Sequence, residues 1–204
     1  MRSKLRCYIQ FFLILLGASI LTGCSLLSPV LQPPVKTYLL NDPVVQSTTL
    51  AKKSGKILLV SEISSPSWLD TNQMAYQSGN NQVSYFALNK WAAPPADLLQ
   101  PIVVHALSSS GLYKAVVAAP FNGNYDQRLD IQLLEMQQVF TPRSSYYLMT
   151  VRAQLIGKSS QKILALKRFE LKVPSAQNNP ESGVAAANQA VKQWISELIG
   201  FISR

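Results

Sequence analysis

Arg128-Leu129-Asp130-Ile131-Gln132-Leu133-Leu134-Glu135-Met136-Gln137-Gln138-Val139-Phe140 is the stretch that decides the fold. Leu129, Ile131 and Leu133 alternate with Arg128, Asp130 and Gln132, the period of two expected of a strand with one dry and one wet face. The phase slips at Leu133-Leu134, which predicts a β-bulge, because one extra residue returns the apolar positions to the same face. Two further runs repeat the pattern. In 146–156, Met149, Val151, Ala153 and Leu155 alternate with Thr150, Arg152 and Gln154; in 163–173, Phe169, Leu171 and Val173 alternate with Arg168, Glu170 and Lys172. Turn compositions at 141–145 and 157–161 separate the runs, so the sequence predicts an antiparallel meander with one wet face.

Two helices are predicted to cover the dry face. Residues 182–202 place Val184, Ala187, Val191, Trp194, Ile195, Leu198 and Ile202 on one side and Lys192, Gln193, Ser196 and Glu197 on the other. Pro94-Pro95 suits the start of a second helix, where the missing N–H would be free anyway. That helix runs to about Ser108 and stops before Gly111, with Leu98, Leu99, Ile102, Val103, Ala106 and Leu107 on one face. Shorter strands are expected at 37–40, 56–63, 73–77, 82–88 and 113–118. Ser78-Gly79-Asn80-Asn81 has the composition of a hairpin turn between the third and fourth of the predicted strands.

The N-terminus has a different character. Arg2, Lys4 and Arg6 precede the apolar run 8–20, and Leu21-Thr22-Gly23-Cys24 closes it. A positive start, a short apolar run and small residues make a secretory signal, too short for a stable membrane span. Its end resembles a lipobox, with cleavage after Gly23 and lipid on Cys24. By resemblance to the sorting rule of Gram-negative lipoproteins, Ser25 in place of Asp points to the outer membrane, facing the periplasm. The expected organisation is residues 1–23 as signal, 24–36 as a lipidated tether bearing Pro29, Pro33 and Pro34, and 37–204 as the domain. About 180 residues after cleavage are enough for one well-buried core. Cleavage removes three positive charges from a chain of net charge +9, leaving a dispersed basic surface. In a secreted lipoprotein that charge suits anionic lipid or an acidic protein better than nucleic acid. Of the two cysteines, Cys7 leaves with the signal and Cys24 carries lipid, so the domain has no thiol for a disulfide or a Cys-based metal site.

Groups for catalysis are sparse. His105 is the only histidine and sits at the margin of an apolar helix face, so a zinc site is not expected. No Gly-x-Ser-x-Gly, Walker loop or Gly-x-Gly-x-x-Gly occurs. Asp126 and Asp130 are the closest acids within a strand region, and their spacing suits solvated carboxylates better than a glycosidase dyad. Enzyme activity and a dissociable cofactor are therefore not expected. The aromatic residues offer candidate contacts instead. Trp68-Leu69 in a proline-bearing loop is either a core plug or an exposed anchor for a partner. Phe140, Tyr146 and Tyr147 crowd one hairpin end, either as a contact tip or as cross-strand packing. Trp91 precedes the first helix, where a hydrophobic staple is expected.

In their order these segments resemble one family: a lipobox and tether, Tyr38-Leu39-Leu40, Pro66-Ser67-Trp68-Leu69-Asp70, a hairpin, Lys90-Trp91-Ala92 opening a helix, then a meander and a C-terminal helix. The family is that of the ABC-type transport auxiliary lipoproteins of the paraquat-inducible, intermembrane-transport type. Family members often carry Arg where Thr71 and Lys90 stand, and a Glu-Pro-Leu-like helix start where this chain has Ala93-Pro94-Pro95. The resemblance implies a compact α/β domain. Taken with the patterning, the expected class is α+β: a single compact domain, a mixed, mostly antiparallel sheet, two main helices on it, and an amphipathic C-terminal helix. It also implies an ABC permease, its ATPase and an MCE-domain protein as partners in lipid movement, with the lipoprotein docking the MCE assembly at the outer membrane. A phospholipid carrier and a structural envelope module are the competing roles, and self-association of the chain stays open.

Overall fold

The computed structural model describes residues 33–43, 54–79 and 82–203. The signal segment, Cys24 and most of the tether lie outside them, as do Asn80 and Asn81 of the expected hairpin turn. Val35–Arg204 makes one compact unit.

The deciding stretch becomes β6 (Gln127–Phe140), and the other strands are arranged along its two edges. One edge takes the whole of β7 (Ser145–Gly157) antiparallel, and β8 (Ile163–Pro174) pairs antiparallel beyond it. The predicted bulge is present: Leu133 faces Val151 and Glu135 faces Thr150, so Leu134 is the extra residue. Leu133 and Met136 thereby both stay fully buried. The buried Thr150 hydroxyl donates to Glu135 Oε2 at 2.6 Å beside the bulge, which satisfies that buried polar group.

The second edge of β6 is shared end to end. β2 (Ile57–Val60) lies parallel to residues 127–129, a bridge joins Ser64 to Gln132, and β3 (Gln73–Ser78) lies parallel to residues 138–140. Residues 65–72 loop out between these two pairings. β5 (Ala115–Ala118) extends the β2 side in parallel. On the β3 side, β4 (Val83–Trp91) adds antiparallel and β1 (Lys36–Tyr38) parallel to β4. The result is one curled, mixed sheet. The expectation of a mostly antiparallel sheet is corrected: four of the seven ladders among the described residues are parallel. Periodicity records which face a residue takes and says nothing about its partner strand.

Helix α1 (Pro95–Ser109) buries Leu99, Ile102, Val103, Ala106 and Leu107, as the spacing predicts. Pro94 caps it without a side-chain bond, and Gly111 at φ +70° turns the chain out of it, a conformation that favours glycine. Helix α2 (Pro180–Ile202) starts at Asn179, whose side chain accepts from Ser182 N–H at 2.8 Å, with Pro180 next and Glu181 in the first turn. Ala186, Ala187 and Ala190 keep its buried face shallow, and Trp194, Ile195 and Leu198 fill the core further along. It lies against β7, β8 and β6, whereas α1 lies against β5 and α2.

The start of α2 is clamped to β6. Gln138 is 1% exposed, and its amide donates to Ser145 Oγ at 2.9 Å and to the Asn179 carbonyl at 3.2 Å. Gly183 makes room for it: a Cβ there would lie 2.3 Å from Gln138 Oε1. In an open helix Gly→Ala gains about 1 kcal/mol. At this site Gly183→Ala is expected to reverse that sign and cost about 1–3 kcal/mol through overpacking. A thermal melt of the variant checks it, and an unchanged or raised Tm would show that Gln138 moves aside freely.

Candidate docking site

Three half-buried aromatic side chains meet where β3, β4 and β6 come together. Tyr76 and Phe86 have ring centroids 4.6 Å apart, and Phe140 meets them edge-on at 5.7 and 6.3 Å. The register explains the meeting: Tyr76 lies opposite Gln138 on β6 and opposite Ser84 on β4. Phe140 and Phe86 therefore sit one diagonal step from Tyr76 on the same face. Tyr146, opposite Val139 on β7, is also half-buried. Gln138, on the same face as Tyr76 and Phe140, bonds the start of α2, so this aromatic cluster lies on the helix-bearing side of the sheet; Val83 and Leu88 of β4 are also exposed.

The residues grouped from sequence divide. Tyr147 is 2% exposed and belongs to the core; burial alone pushes its phenol far above the ordinary tyrosine range. Tyr146, paired with Val139, points to the other face, whereas Phe140, paired with Ser145, joins Tyr76 and Phe86, which sequence reasoning missed. Their signal was present in the strand alternation, but only the parallel β3–β6 pairing brings them to Phe140.

Trp68 and Leu69 divide in the same way. The segment closes a helical turn in which the Leu69 N–H donates to the Pro66 carbonyl at 2.9 Å. Leu69 is 2% exposed and joins the core, whereas Trp68 is half-buried against it. The Tyr85 hydroxyl donates to the Trp68 carbonyl at 2.9 Å and holds the turn in place. Adjacent strand residues point to opposite faces. Tyr85 thus reaches the Trp68 turn while Phe86 joins the Phe140 cluster, and the two candidate contacts are separate surfaces. Trp91 is 1% exposed as the last residue of β4. It is a core residue, and the staple position before the Pro94 cap is held by Ala93.

The polar groups serve the fold. Asp126 accepts from the Ile57 N–H at 2.7 Å; Asp130 accepts from Ser61 Oγ at 2.6 Å and from Arg128 at 2.9 and 3.0 Å. Both acids thus tie β2 or its extension to β6. The paired carboxylate raises the Arg128 pKa above its ordinary value. His105 is exposed on α1 and bonds Asp42. Lys36 at the start of the domain bonds Glu181 at 2.6 Å, which raises the lysine pKa and lowers that of the carboxylate. Tyr113 donates to Gln127 Oε1 at 2.9 Å, and burial pushes its pKa to about 12. Thr71, where relatives often carry Arg, accepts from the Gln73 N–H at 3.3 Å within the turn. Among the described residues no group of three His, Cys, Asp or Glu side chains is arranged to hold a metal ion. A cleft of about 200 Å³ on the wet face is lined by Ser64, Asp130, Ile131, Gln132, Arg152 and Gln154.

The family model for the ABC-type transport auxiliary lipoprotein component matches residues 38–198. The chain belongs to this family. It is accordingly an auxiliary lipoprotein component of ABC-type transport, a family described as auxiliary and not as enzymatic, and membrane anchoring through lipid follows from membership. Among solved structures, the crystal structure of protein XCC0632 from Xanthomonas campestris is 23% identical, with a TM-score of 0.75, covering 83% of this chain and 96% of that one. A crystal structure of an uncharacterized protein is 17% identical, with a TM-score of 0.67, covering 83% and 99%. These likenesses establish the shared fold. No curated protein matches the chain.

Proposed function

We propose that this lipoprotein is the outer-membrane docking piece of an MCE-type lipid transport system. Residues 1–23 would be its signal, Cys24 its lipid anchor, and 24–36 the tether that gives the domain its reach. The observation that carries the reading is the family match across 38–198, which supports an auxiliary role beside a permease and its ATPase. The aromatic end of the sheet supports a docking role, because partly exposed large aromatics are the usual anchors of protein interfaces. Tethering confines lipoprotein and partner to a narrow periplasmic space, so modest affinity suffices. The wet-face cleft, at about 200 Å³ with largely polar lining, falls below the roughly 300–1,000 Å³ of typical ligand pockets and does not favour an acyl-chain carrier.

The test is an affinity pull-down of the C-terminally tagged lipoprotein from gently solubilised membranes, read by mass spectrometry. Recovery of an MCE-domain protein with its permease supports docking. Recovery of only cell-wall or outer-membrane assembly proteins points to a structural envelope module, and co-purified phospholipid without protein partners points to a carrier. Phe140→Ala with Tyr146→Ala is expected to cut MCE-protein recovery by about tenfold or more. Both side chains are half-buried, one on each face of the sheet at this end, so the fold should persist. Full recovery with this pair would move the contact to the Trp68 turn or elsewhere.

A further inference from the structure

The opposite end of the long strands has another character. Ile163, Leu164 and Leu166, at the start of β8, are 58%, 50% and 57% exposed. No other four-residue window among the described residues exposes three large aliphatic side chains. Residues 152–168 around them hold Arg152, Lys158, Lys162, Lys167 and Arg168 and no Asp or Glu. Arg152 and Arg168 lie directly opposite one another across β7 and β8, a like-charge pair that costs stability when nothing negative lies between.

The neighbouring elements cancel only part of this charge. Lys158 donates its N–H to the Asp126 carbonyl at 2.9 Å, and its ammonium sits 4.4 Å from the centre of the half-buried Tyr125 ring. The Asp126 carboxylate on that loop is committed to the Ile57 N–H. Glu197 of α2 pairs with Lys167 at 2.9 Å, and Glu170 with Lys172 at 2.8 Å. Phe121, 38% exposed, adds an aromatic side chain on the loop that carries Tyr125.

We infer that the β7–β8 hairpin end is a second membrane contact, seating the domain on a bilayer that contains anionic phospholipid. Exposed aliphatics with lysine and arginine around them suit the boundary between acyl chains and phosphates, where long basic side chains lay their stems on apolar surface and their heads on phosphate. A second copy of the chain fits poorly. Among the described residues β8 pairs only with β7 and leaves a free edge, but lysine and arginine on an edge strand discourage pairing, and two such edges would set the same positive charges against each other. The seating also orients the molecule. β7 runs from Ser145 to Gly157, about 40 Å at roughly 3.4 Å per residue, so the Phe140 end would be held that far from the lipid and toward the periplasm. The membrane contact itself does not depend on which protein, if any, docks at that end.

The test uses the full lipoprotein with Leu164→Cys carrying an environment-sensitive NBD fluorophore, with Arg143→Cys at the other end of the strands as reference. The parent chain, labelled in parallel, sets the background. Both positions are exposed, so neither change disturbs the core. In vesicles of phosphatidylethanolamine and phosphatidylglycerol, the Leu164 probe is expected to gain about twofold or more in emission and to shift to the blue, while the Arg143 probe stays aqueous. Lys158→Glu with Lys162→Glu should abolish the gain although the protein still pellets with the vesicles. The inference is overturned if the Leu164 probe stays aqueous while the protein pellets, or if phosphatidylcholine vesicles give an equal response. A blue shift without vesicles that grows with protein concentration would also overturn it, by showing that a second copy covers the strand. None of these outcomes bears on the pull-down result.

Discussion

Exchange of residues 1–24 for a secretory signal that is removed without lipidation is expected to move the protein from the membrane pellet to the soluble periplasmic fraction. The size of the effect follows from the anchor. A single acyl chain holds a protein only marginally, while two or more bind stably at about 0.8 kcal/mol per buried methylene. Removing the lipidation site removes nearly all of that energy at once. No described helix is long and apolar enough to cross a membrane and take its place. What would remain is the hairpin contact at Ile163, Leu164 and Leu166, which depends on charge and so weakens as salt screens it. Cell fractionation with low-salt and high-salt washes separates the two contributions. The parent should stay with membranes under both, and the exchanged chain should wash off in high salt. If the exchanged chain pellets after a high-salt wash, Cys24 is not the anchor.

Much of this architecture was readable where local chemistry decides the outcome. The slip at Leu133-Leu134 announced the bulge because two adjacent leucines cannot both face one side of a regular strand. The spacing of Val191, Trp194, Ile195 and Leu198 announced α2 because an apolar stripe is a local signal, while the Asn179 cap and the Pro180 start lay in a stretch read as loop. Chain order hid the rest. β2 lies parallel to a strand almost seventy residues later, and no turn composition marks such a pairing. The same blindness separated Phe140 from Tyr76 and Phe86, and it grouped Tyr147 with Tyr146, although consecutive strand residues must face opposite ways. Ile163, Leu164 and Leu166 read as ordinary strand residues because the sequence does not reveal that, among the described residues, β8 ends the sheet and the start of the strand is left exposed.

Leu69→Ala and Trp68→Ala are expected to fail in different ways, although sequence alone treats the pair as one feature. Leu69 is 2% exposed within the core cluster, so truncating it should cost about 2–5 kcal/mol in lost burial and residual cavity. For a domain of this size, about 2–4 °C of Tm goes with each kcal/mol, so the melt should fall by roughly 10 °C. Partner capture per folded molecule should be unchanged, since the side chain never reaches the surface. Trp68 differs because its side chain is half-buried and its carbonyl, not its ring, receives the Tyr85 hydroxyl. Alanine there keeps that hydrogen bond and the turn, so the melt should move less than for Leu69. The exposed part of the ring is the surface that could meet a partner, so recovery of the MCE-domain protein should fall. Measuring melt and capture on both variants decides between core and contact for each residue. If Trp68→Ala melts as low as Leu69→Ala and captures partner at the parental level, Trp68 is packing only, and the Phe140 end alone remains as the docking surface.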